Sequence, residues 1–167
     1  MSTRAIASRH PLVSQLAARI SGALTLEEPY ILQDRVPQTA SCHVVVIWDE
    51  WADMDRTERG RIIVDAFQDA GVKDAVRVAM GLTQQEALRT GYLPYQVVAN
   101  WKKSDGEPVF RRLKQTIERT PGVHVRTGSS EQLRYPTLEH AQEAYRHVSG
   151  AVAGPYWAIV KEEGMAE

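Results

Sequence analysis

A chain of 167 residues, 43% hydrophobic and 25% charged, has the make-up of a globular protein of one ordinary domain, or of two small ones sharing a core. Its 20 basic and 21 acidic residues nearly cancel and occur in both halves, which excludes a long-range field toward nucleic acid or anionic membrane and leaves only local basic faces. A single cysteine, Cys42, excludes an intrachain disulfide and a Cys-based structural zinc site, and the longest apolar run, Val44 to Trp48, is far too short to span a membrane.

In chain order, residues 1–10 read as a flexible tail. Arg4, Arg9 and His10 interrupt any signal-type apolar core, so a cytoplasmic location is expected. From Pro11, the residues Val13, Leu16, Ala17, Ile20 and Leu24 recur at helical spacing. "YILQDRVPQT" predicts a short strand, and Pro37 near its end suggests a sheet edge. "CHVVVIWD" is the strongest strand signal, and its continuous β-branched run predicts burial on both faces. Neighbours on a strand point oppositely, so Cys42 and His43 are not expected to meet as a nucleophile–base pair.

A helix over about 56–70 follows. Asp55 is placed to cap it, Glu58 stands three residues later, and the apolar stripe is Ile62, Ile63, Ala66, Phe67 and Ala70 before Gly71. "DAVRVAMGL" predicts a strand with Val76 and Val78 on one face. Thr83 and Glu86 form a second capping box opening a short helix.

"YQVVANW" restarts the pattern with a strand. Pro108 opens a helix burying Val109, Phe110, Leu113 and Ile117, and "PGVHVRTGSSEQLRYPT" reads as a short strand and a loop. Thr137 caps a helix that turns Leu138, Ala141, Tyr145 and Val148 inward, and "PYWAIVKEE" is a last strand. The expected class is α+β: an αββαβ(α) half over 11–92 packed with a βαβαβ half over 93–163, with 164–167 frayed.

The stretches "HVVVIWDEWADMDRTERGRIIVDAFQDA" and "DAVRVAMGLTQQEA" carry a resemblance. A hydrophobic strand ends in an acid and an aromatic, then come an Arg-rich helix start, a further strand and a "T-x-x-E" helix. Asp49, Trp51, Arg59, Arg61, Thr83 and Glu86 stand at the matching places, and in this respect the first half resembles the BolA family. The resemblance covers about half the chain and implies a type II KH-like fold with roles in iron–sulfur partner binding or regulation. Gly60 departs from the family's "RHR", and Arg77 stands where the family has a cluster-ligating histidine. A guanidinium has no free lone pair, so no cluster and no other cofactor is expected here.

The remaining candidates are weighed by chemistry. Asp49, Glu50, Asp53 and Asp55 lack the glycine and terminal glutamate of a calcium loop, and capping accounts for Asp55. His140, Glu143 and His147 share a helix face, but one expected in solvent, so no metal is assigned. Trp51 beside Arg56, Arg59 and Arg61 is the best contact patch, since aromatics next to arginines can stack on a partner. The favoured expectation is a non-enzymatic interaction or regulatory module that binds a protein partner or itself through those four residues. The alternative is nucleic-acid binding through the KH-like half with Arg77, Lys102, Lys103, Arg111 and Arg112. A third reading is a small enzyme with acid–base residues between the halves.

Overall fold

The computed structural model describes residues 3–5, 13–16, 29–72, 74–128 and 130–162. The expectations for Ala17, Ile20, Leu24 and residues 164–167 lie outside the described residues. The protein is α+β and divides into two units, Met1–Ala87 and Leu88–Glu167.

The first unit contains β1 (Thr3–Ala5), α1 (residues 13–16), β2 (Tyr30–Arg35), β3 (Ser41–Ile47), α2 (Arg56–Asp69), β4 (Ala75–Leu82) and the start of α3 (Gln84–Arg89). Its sheet runs β1-β2-β3-β4. The first two pairings are antiparallel, and β3 pairs with β4 in parallel, with α2 as the crossover. Residues expected in a flexible tail therefore form a strand, and β2 is not an edge: β1 covers it, while Pro37 lies in the hairpin turn beyond it.

The core forms where one sheet face meets the helices. Ile31, Cys42, Val44 and Val46 pack with Ile62, Ile63, Ala66 and Phe67 of α2 and with Leu16 of α1. Burial on both faces of β3 holds only in part. Cys42, Val44 and Val46 are buried on the helix side, while His43 is exposed and Val45 half-buried on the other. Cys42 and His43 therefore face opposite ways, and burial pushes the Cys42 thiol up from its ordinary pKa.

Asp55 caps α2 by accepting the Thr57 and Glu58 amides, at 2.8 and 3.1 Å. At its other end Gly71 adopts φ +66°, and the amides of Gly71 and Val72 bond back to the Gln68 and Phe67 carbonyls, a Schellman closure. In β4 a bulge at Arg77 breaks the alternation: Cys42 pairs with Val76, but His43 pairs with Val78. The extra residue leaves Val76 on the core side and turns Val78 to the outer face. The two valines expected on one face are thus on opposite faces.

The second unit contains β5 (Tyr95–Asn100), α4 (Glu107–Arg119), β6 (Val123–Thr127), β7 (Ser130–Tyr135), α5 (Leu138–Ala151) and β8 (Tyr156–Lys161). The stretch expected as a loop is β7, so the order is βαββαβ and not βαβαβ. All pairings are antiparallel and the sheet runs β6-β7-β5-β8, the split β-α-β plan of ferredoxin-like folds. Strand β7 hides in the sequence because one of its inward positions is an acid: Glu131, Leu133 and Tyr135 are buried, and Ser130, Gln132 and Arg134 alternate with them. No helix among the described residues is long and apolar enough to cross a membrane.

Candidate functional site

The "WDEWADMDRTERGR" stretch folds inward. After β3, a 3-10 turn at Asp49–Trp51 carries Trp51 back over the helix side of the sheet, where it is fully buried. Its indole N–H donates to the Val46 carbonyl at 3.1 Å, and its ring meets Trp48 edge-on with centroids 6.0 Å apart. Arg59 is buried as well. Its Nε donates to the Met54 carbonyl at 2.8 Å, and its Nη1 donates to the Gly81 carbonyl at 3.1 Å and to Glu86 Oε2 at 2.6 Å.

Glu86 in turn accepts the Thr83 amide at 2.8 Å, and Thr83 Oγ1 accepts the Glu86 amide at 3.2 Å, which is the expected capping box. Gly81 is small because this knot fills its space: a Cβ there would lie 2.8 Å from Arg59 Cβ and 3.2 Å from the Trp51 ring. One arginine therefore ties the turn after β3, helix α2, the end of β4 and the start of α3 together.

This corrects the expected contact patch. Trp51 and Arg59 offer no surface to a partner, and only Arg56 and Arg61 are exposed, with Arg61 3.5 Å from Asp65 one turn on. The acids are also dispersed. Asp49 accepts the Gln84 amide at 2.8 Å, Asp55 caps α2, and Glu50 and Asp53 are exposed.

The Thr83 amide, and then the Arg59 guanidinium, hold the Glu86 carboxyl below its ordinary pKa against the opposing effect of burial. A depressed folded-state pKa gives stability that is present above the unfolded-state value and is lost as pH falls through the folded one. Acidification below about pH 4 is therefore expected to weaken the first unit, and Glu86→Gln to remove that part of the pH dependence. Urea midpoints of the two proteins across this range check it; parallel curves would contradict it.

No protein-family model, curated protein or solved structure matches this chain.

The basic residues of the nucleic-acid alternative are scattered over separate elements. Arg77 is exposed at the bulge of β4, Lys102 is exposed before α4, Lys103 opens the 3-10 turn Lys103–Asp105, and Arg111 and Arg112 are exposed on α4. Single-strand readers stack bases on sheet aromatics. Of the strand residues on the helix-free face of the second sheet, Tyr156 is the aromatic.

Two features escaped the sequence. The first is an acid–base cluster on the β6–β7 edge. Buried Glu131 lies 2.5 Å from His124 Nε2 and 3.5 Å from Arg126 Nε. Arg126 is directly opposite Glu131 and His124 is diagonal to it, so the cluster clamps an edge strand. Carboxylate–imidazole pairs of this kind also orient general bases, but no nucleophile or further acid bonds to it among the described residues. No group of three or more His, Cys, Asp and Glu side chains is placed to hold a metal among them either. In α5, Nδ1 of His140 is engaged by Thr137 Oγ1 at 2.7 Å, and its pKa is lowered, chiefly by burial.

The second feature is strand β4 itself. It ends the sheet with no outer neighbour among the described residues, and it exposes two large apolar side chains, Val78 at 44% and Met80 at 37%. The bulge at Arg77 is what turns both to the outer face, and no periodicity in the sequence reports a bulge.

Proposed function

We propose that this chain is a non-enzymatic protein-interaction module and that β4 carries its contact. One observation supports this above the rest: β4 is an eight-residue edge strand with Val78 and Met80 in solvent. An edge presents a row of unpaired N–H and C=O groups, and edge strands are ordinarily blunted by charge, proline or short length. Here the Arg77 bulge, and Arg59 donating to the Gly81 carbonyl, blunt part of the edge, while the outer face at Val78 and Met80 stays exposed. The order β2-β3-β4, with its parallel crossover through α2, is compatible with the αββαβ plan that the BolA resemblance implies.

A photo-reactive residue installed at position 80 in cells tests the reading. A discrete cross-linked polypeptide is expected from position 80, lost when Val78→Lys is added, and none from positions 56 and 61. Adducts from 56 or 61 with none from 80 would move the contact to the arginines and overturn the assignment.

A further inference from the structure

We propose that His124 is a phosphoryl-acceptor site: its Nδ1 takes a phosphoryl group from a donor of the phosphoramidate class, with Glu131 positioning the ring and Arg126 receiving the phosphoryl oxygens. The site lies in the second unit and is independent of the contact assigned to β4.

An imidazole is a useful nucleophile when one ring nitrogen is held by a partner and the other keeps its lone pair in solvent. Strand β6 supplies both conditions. It ends its sheet, with no outer neighbour among the described residues, and the His124 side chain is 37% exposed. Nε2 of that ring lies 2.5 Å from Glu131 Oε2, and the Glu131 side chain is only 4% exposed. A carboxylate only accepts, so in the uncharged ring the proton sits on Nε2 and the lone pair on Nδ1. No described residue bonds Nδ1. The other described histidines lack this arrangement. His43 and His147 are exposed but no described carboxylate bonds either, and Nδ1 of His140 is already engaged by Thr137 Oγ1.

Arg126 completes the site. It stands two residues further along the same face of β6, about 7 Å away at the backbone. Its Nε lies 3.5 Å from Glu131 Oε1, its side chain is 60% exposed, and no described residue bonds its two terminal nitrogens. A guanidinium so placed can pair with two phosphoryl oxygens at once. The contacts with Glu131 thus occupy one nitrogen of the ring and one of the guanidinium, and leave the others for a ligand.

In the transfer, the Nδ1 lone pair attacks phosphorus and forms the new N–P bond. The donor's P–N bond breaks with its electron pair left on the nitrogen, which is already protonated in the donor and departs as ammonia. The ring keeps its Nε2 proton and becomes cationic, and the Glu131 carboxylate lies against that charge. The product adds about two negative charges to the open edge of β6, beside Arg126.

The full-length chain is incubated with potassium phosphoramidate, and the products are read by peptide mass spectrometry and phosphorus NMR. His124 is expected to react at least about tenfold faster than His43 or His147, and at Nδ1 first. Glu131→Gln should bring its rate down toward theirs and relax the choice of ring nitrogen. Arg126→Ala, at an exposed position, should slow His124 several-fold and leave the other two unchanged. Circular-dichroism melts control for folding; a merely structural role for Glu131 would leave the choice of nitrogen unchanged in a folded variant. Equal initial rates at the three histidines, or an initial phosphoryl group on Nε2 of His124, overturns the proposal, and these wild-type results decide it even where Glu131→Gln fails to fold. A His124 rate indifferent to both substitutions in folded variants overturns it as well.

Discussion

Trp51→Ala is expected to remove about 3–5 kcal/mol of stability from the first unit, the cost of emptying a large buried aromatic site. Domains of this size are ordinarily stable by only about 5–15 kcal/mol, so the variant should be close to unfolding at moderate temperature. Trp51 is wholly buried, contacts Trp48 edge-on and donates its indole N–H to the Val46 carbonyl. Trp51→Phe keeps most of the ring volume but leaves that carbonyl short of a donor, and an intermediate loss is expected. Arg56→Ala and Arg61→Ala, at exposed positions, should change stability by no more than about 0.5 kcal/mol. Denaturant titration separates these cases. A Trp51→Ala protein of wild-type stability with impaired partner contact would mean that Trp51 is a docking residue after all.

Arg59→Met is expected to cost about 3 kcal/mol, although methionine fits the volume well. The loss is polar: it strands the Met54 and Gly81 carbonyls and deprives Glu86 of its cation. Arg59→Lys keeps the charge, but a lysine ammonium lacks the planar fork that reaches three acceptors, so it should recover only part of the stability. Glu86 shares the same network. The double variant Arg59→Met with Glu86→Gln should therefore lose less than the sum of the two single losses. Additive losses from chemical denaturation would show that Arg59 and Glu86 do not act as a unit.

What the sequence made legible follows from local rules. The Asp55 cap, the Thr83–Glu86 box, the Gly71 stop and the stripe of α2 all depend on residues a few positions apart, and each forms as expected. The α+β class followed from the same signals. Features that depend on distant partners did not. Arg59 looks like a solvated helix residue until Gly81 and Glu86, more than twenty positions on, are brought to it. Glu131 masked a strand, because a buried acid reads as polar until His124 and Arg126 cover it from the neighbouring strand. The exposed face of β4 depends on one inserted residue at the bulge, which inverted the expected sidedness of Val78. The candidate contact therefore moved from the most conspicuous residues of the chain to an inconspicuous "VAM".

Photo-cross-linking in cells from positions 51, 56, 59, 61, 78 and 80 tests the central claim most directly. Adducts are expected from 78 and 80, whose side chains are exposed, and none from the buried positions 51 and 59. Adducts from 56 and 61 with none from 78 and 80 would contradict it and return the contact to the tryptophan–arginine stretch.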